Sequence, residues 1–186
     1  MSQIKQVLLG GYGGQGIVLA GTLLGQAAFM DGKWVSGTNS YGAAARGGYC
    51  RAEVVISNQS IIFPYVMEAD ILIALCQTAY NKYVGEMKPG TGTVIFDSGL
   101  VTPKEVGGLQ YYGIPATKTA LEELGREIVA NVVMLGATAE ITEVVTKEAL
   151  ISATKQIVPE KLRELDLKAA EIGFALARNA RAHVKG

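Results

Sequence analysis

Cysteine and histidine are nearly missing from this 186-residue sequence, which holds only Cys50, Cys76 and His183. An iron-sulfur cluster wants four thiolates at close spacing and a structural zinc wants four Cys or His ligands, so this chain alone can build neither. No metal-binding residue is assigned, and any metal or cluster is expected in another polypeptide. Net charge is missing too: seventeen basic residues balance seventeen acidic ones, which leaves no global field to hold nucleic acid. There is no run of eighteen or more apolar residues to span a membrane. The start, Met1-Ser2-Gln3-Ile4-Lys5, leads into a strand-like stretch without a signal-peptide pattern. The expected location is the cytoplasm, where a disulfide is not anticipated and both cysteines are read as small buried hydrophobes. His183, three residues from the end, is expected to be solvated.

What is present is apolar residue, at 49% of the chain. That proportion suggests surface covered by partner chains. The length suits one domain, residues 1–186. Ile4 to Leu9 reads as a strand, followed by glycines at 10, 11, 13, 14 and 16 and then an apolar helix from Ile17. Asp31-Gly32 turns into a second strand at 33–37, and 38–48 reads as a functional loop. Arg51 to Ile56 and Ser60 to Phe63 read as the arms of a hairpin around Ser57-Asn58-Gln59, with Pro64 ending the second arm. The apolar run 70–75 reads as a parallel-type strand. A helix over 77–86, strands at 93–96 and 110–113, and helical periodicity from 118 to 183 complete the pass, with breaks near Gly125, 142–146 and Pro159. Alternating strands and helices define the expected fold class: α/β, a single three-layer Rossmann-like domain with a mainly parallel sheet and a helical C-terminal third.

Gly11-Tyr12-Gly13-Gly14-Gln15-Gly16 fits G-x-G-x-x-G between a strand and a helix, where backbone N–H groups and the helix dipole favour an anion. A dinucleotide site would add an Asp or Glu at the end of the second strand, and that position falls near Ser36-Gly37. Asp31 lies twenty residues beyond Gly11 but precedes the second strand, so its carboxylate should sit at the wrong edge of the sheet. The turn is therefore open to another anionic or carbonyl ligand, to partner backbone, or to a purely structural role. Ser40-Tyr41-Gly42 and Arg46-Gly47-Gly48 supply hydroxyls, a guanidinium and flexible backbone that should lie beside the turn. Tyr12 and Tyr41 are expected to pack on the surface or a partner, and Asp97-Ser98-Gly99 to be ordinary turn chemistry.

The run from Gly10 to Gly16, followed by Ser40-Tyr41-Gly42 and Arg46-Gly47-Gly48, resembles the gamma subunits of 2-oxoacid:ferredoxin oxidoreductases, closest to the 2-oxoglutarate type. The resemblance extends through 51–63, Ala69-Asp70-Ile71-Leu72 and the Asn131-containing segment 131–137, which is similar to a family helix packed near the sheet. It implies a part in the CoA-dependent oxidative decarboxylation of a 2-oxoacid to an acyl-CoA, with pyruvate, branched-chain oxoacids and indolepyruvate as other candidate substrates. CoA would bind at a shared site involving Gly11, Gly13, Gly14, Gln15, Gly16, Ser40, Tyr41, Gly42, Arg46 and Gly47. Thiamine diphosphate, magnesium and the iron-sulfur cluster would lie in partner subunits. Those partners are alpha and beta chains, with delta a further candidate, and ferredoxin would accept the electrons; no catalytic residue is assigned here. The competing readings are a free-standing nucleotide-binding oxidoreductase and a non-catalytic docking scaffold.

Overall fold

Among the described residues, six strands form one sheet. The computed structural model describes residues 4–41, 48–104 and 106–183. In chain order the elements are β1 (Ile4–Tyr12), α1 (Ile17–Met30), β2 (Trp34–Tyr41), β3 (Tyr49–Ser57), β4 (Ile71–Ala74), α2 (Gln77–Tyr83), β5 (Thr93–Asp97), β6 (Gln110–Ile114), α3 (Ala116–Leu124), α4 (Ala130–Thr142), α5 (Lys147–Ile157) and α6 (Glu160–His183). The order in the sheet is β2-β3-β1-β4-β5-β6. β1, β4, β5 and β6 pair in parallel. β3 is antiparallel to both of its neighbours, β1 and β2. The α/β, mainly parallel character holds, with an antiparallel β2-β3 extension on one side.

Period-two alternation divides the core. Val7, Leu9, Ile71, Ile73 and Ile95 face one helical layer, in one cluster with residues of α1 and α3–α6. Leu8, Leu72, Ala74, Val94 and Phe96 face the other way and meet Ala79, Tyr80 and Tyr83 of α2. β4 is buried at all four positions, as a strand covered on both faces should be. α4 is buried at every residue from Ala130 to Ala139; a helix apolar around its whole circumference belongs inside. α6 crosses it where Gly173 faces the Val133 carbonyl and Gly136 faces that of Ala170. A β-carbon at either position would overlap backbone, so the two helices can approach this closely only without one.

Two expectations are corrected. The hairpin does not form from 51–56 and 60–63. Arg51 to Ile56 lies within β3, but β3 is hydrogen-bonded along both edges by β1 and β2 and has no edge left for 60–63, whose Ile61-Ile62-Phe63 does not alternate. Likewise 38–41 is not loop but the second half of β2, with Thr38 opposite Glu53 and Ser40 opposite Arg51. Pairing with β3 makes strand out of small polar residues that carry little strand signal by themselves. Gly42, Arg46 and Gly47 lie outside the described residues.

Candidate functional site

The carboxyl end of β1 opens into the glycine-rich turn. Gly14 (φ 103°) and Gly16 (φ 70°) both take the left-handed backbone conformations that disfavour side chains. Gly16 then caps α1 without a side-chain acceptor, and α1 has no acidic residue in its first turn. The positive end of α1 is therefore not offset by a carboxylate of its own first turn. Asn131, buried at the start of α4, donates its Nδ2 to the Gly16 carbonyl at 3.0 Å. Gln15 is tied at both ends of its amide: Oε1 accepts from the Tyr12 N–H at 2.7 Å, and Nε2 donates to the Leu75 carbonyl at 2.9 Å. It acts as a clamp between the turn and the end of β4.

α1 leaves β1 toward β2, whereas α2 leaves β4 toward β5. The crossovers diverge between β1 and β4, the kind of switch point where open α/β sheets bind ligands at the carboxyl ends of their strands. A cleft of about 390 Å³ lies there, lined by Gly14, Gln15, Leu75, Leu100, Thr117 and Ile128 among others. The lining residue Thr117 is held by Asp97, buried at the end of β5, which accepts from the Thr117 N–H at 2.8 Å and the Gly99 N–H at 3.0 Å. Asp97 therefore caps α3 and closes its own turn, as expected of Asp-Ser-Gly.

The second loop does return to the turn: the Gly13 N–H donates to the Gly48 carbonyl at 3.0 Å. Gly11 is buried opposite Cys50. Ser40 and Tyr41 lie opposite Arg51 and Cys50 on β2, two strand spacings from β1, about 10 Å. Asp31 accepts from the Thr146 N–H at 2.7 Å and hydroxyl at 2.6 Å. It braces the start of α5, away from the carboxyl edge. Both cysteines are buried, and burial pushes both thiols up from their ordinary pKa, so neither is a thiolate nucleophile at neutral pH. Among the described residues no group of three His, Cys, Asp or Glu could hold a metal ion, and no helix is long and apolar enough to cross a membrane.

Sequence reasoning missed the cluster behind the turn. Tyr12 stacks on Tyr49 with centroids 6.2 Å apart, and its hydroxyl lies 2.7 Å from that of Thr78. Arg51 pairs with Glu53 at 2.7 Å and with Glu86 at 2.8 Å, and its guanidinium lies 5.0 Å from the centre of the Tyr83 ring. Lys82 sits 5.2 Å from the centre of the Tyr49 ring. The alternation Tyr49, Arg51, Glu53 on one face was a usable signal, but it becomes a cluster only once β3 is paired with β1.

The class is an α/β domain with a glycine-rich turn and the open N-terminus of α1 at the switch point of its sheet. The family model for pyruvate ferredoxin/flavodoxin oxidoreductase matches residues 6–176, and the chain belongs to that family. It is 44% identical over 177 residues to the 2-oxoglutarate synthase subunit KorC of Methanocaldococcus jannaschii, covering 94% of each chain. Its structure resembles the gamma subunit of the keto/oxoacid ferredoxin oxidoreductase of Geobacter sulfurreducens, with TM-score 0.83, 41% identity, and coverage of 95% of this chain and 99% of that one. It also resembles the 2-oxoglutarate:ferredoxin oxidoreductase of Magnetococcus marinus, solved with 2-oxoglutarate, coenzyme A and succinyl-CoA bound. There the TM-score is 0.86 and the identity 26%, and the match covers 95% of this chain but 31% of that one. The resemblance to gamma subunits read in the sequence is thus shown.

Proposed function

We propose that this chain works as the gamma subunit of a CoA-dependent 2-oxoglutarate:ferredoxin oxidoreductase, whose glycine-rich turn and neighbouring loop supply part of the CoA site. In that reaction 2-oxoglutarate and CoA give succinyl-CoA and carbon dioxide, and two electrons pass to ferredoxin. Thiamine diphosphate with magnesium, and the iron-sulfur cluster, would supply the carbanion chemistry and the electron path from alpha and beta partners; two cysteines and one histidine in the sequence are too few to ligate a cluster.

The observation that carries the reading is the uncapped N-terminus of α1 beneath Gly14 and Gly16, beside a cleft at the switch point. Backbone N–H groups there would receive a phosphate or carbonyl oxygen. A β-carbon at Gly14 would meet no atom within 4 Å, so the backbone lies open to approach by a ligand. Gln15 and Asn131 act as positioning residues, holding the turn to β4 and α4. Arg46, two residues before the Gly48 that accepts from the Gly13 N–H, would hold a CoA phosphate.

The test uses the assembled complex carrying Arg46→Ala. We expect the KM for CoA to rise at least tenfold with kcat and subunit content unchanged. Loss of assembly with unaltered CoA dependence in the remaining complex would instead favour the docking scaffold. Tight binding of NAD(P) by the isolated chain would favour the free-standing enzyme.

A further inference from the structure

Residues 58–68 leave β3 and cross the sheet face opposite α1. Their backbone is held to the sheet: the Ser36 hydroxyl donates to the Pro64 carbonyl at 3.2 Å, the Val66 N–H to Glu53 at 3.1 Å, and the Met67 N–H to Gln6 at 2.6 Å. Yet the side chains point outward. Ile62 is 98% exposed, Met67 68%, and Phe63 and Tyr65 54% each. Trp34, opposite Ser57, and Ile4, opposite the same residue from β1, extend the patch along the sheet. A segment fixed in place while it presents large apolar side chains to water is the pattern of a surface built for a partner.

β2 borders this patch and is the outer strand of the sheet, paired among the described residues only with β3. Its eight residues, Trp34-Val35-Ser36-Gly37-Thr38-Asn39-Ser40-Tyr41, carry no charge and no proline, the usual means of blunting a free edge. The opposite edge, β6, has five residues and contacts α6.

We propose that the β2 edge and the apolar segment 61–67 form one permanent docking surface for the larger subunit of the oxidoreductase, which adds an extended segment to β2 and covers Trp34, Ile62, Phe63 and Met67. The occupant follows from the Magnetococcus marinus chain, in which the matched region is only 31% of a longer polypeptide. In the KorC subunit of Methanocaldococcus jannaschii, 94% of which is matched, the same region is a subunit by itself; a subunit of that kind must hold by contact what the longer polypeptide holds by covalent continuity, and permanent contacts are the more apolar ones. The proposal rests on the subunit reading above.

The experiment co-produces the tagged chain with its partner subunits and compares wild type, an Ile62→Asp/Phe63→Asp variant and Leu121→Asp. Leu121 is 49% exposed on α3, far from the patch in sequence. The melting temperature of each isolated chain shows that it folds. Recovery of the larger subunit should fall at least tenfold in the double variant and stay at the wild-type level in Leu121→Asp. Amide exchange in β2 should slow on assembly. If wild type itself recovers no larger subunit, the subunit reading fails. If wild type and the double variant recover it equally, the surface assignment is overturned. Conversion of a self-associated chain to a monomer by the double variant, with recovery intact, would assign the patch to a second copy of this chain and overturn the proposal equally.

Discussion

The two faces of the sheet are finished differently. One is covered by α1 and the helical C-terminal layer, with α4 buried along ten consecutive residues. The other has α2 over β1, β4 and β5, while its β2-β3-β1 half carries Gln6, Ser36, Glu53 and Ser57 beneath the 58–68 segment. The thick face derives its stability from close packing, and the thin face keeps apolar surface in reserve. Stability and association are thereby assigned to opposite sides of one sheet.

The comparison predicts unequal responses to substitution. The largest is expected from Gly173→Val, which forces a side chain into the Val133 carbonyl at the α4–α6 crossing; overpacking there should cost about 3 kcal/mol, read as a lowered urea midpoint. A smaller effect of opposite sign is expected from Asp166→Asn on the same layer. Asp166 shares the buried stripe of α6 with Ala169, Ala170 and Phe174, and burial pushes its carboxyl above the ordinary carboxylate pKa. The folded state thus holds that proton more tightly than the unfolded chain, so stability falls as pH rises from the unfolded pKa toward the folded one. Asp166→Asn should therefore raise Tm at pH 7, and the gain should vanish below about pH 4, near the ordinary aspartate value. The smallest effect belongs to the thin face. Ile62→Ser should change the stability of the isolated chain by less than about 0.5 kcal/mol, by the same urea titration. A large loss there would show that the patch is part of the core rather than a reserve.

Local features were the legible ones. The run 70–75 announced β4, the glycine turn announced the entry to α1, and Gly125 and Pro159 marked breaks in the helical third. The pairing of β3 between β1 and β2 was not legible, because register depends on partners up to about fifty residues away. Arg51 to Ile56 reads equally well beside 60–63 until both edges are taken. The site divides in the same way. The turn was visible, but its supports were not: Gln15 reaches Leu75 and Asn131 reaches Gly16 across 60 and 115 residues. The missing end-of-strand acid remains missing with β2 extended to Tyr41, since Ser40-Tyr41 supplies none. The Tyr12-Tyr49 stack escaped notice because it needs the antiparallel β1-β3 register, and the Arg51–Glu86 pair because it joins residues 35 positions apart.

The most direct test of the central claim is amide hydrogen exchange over residues 14–19 in the assembled oxidoreductase, with and without CoA. If the turn and the first turn of α1 receive CoA, exchange there should slow at least tenfold on addition, while β6 is unaffected. Unchanged exchange over 14–19 at saturating CoA would contradict the account and leave the glycine-rich turn a structural device.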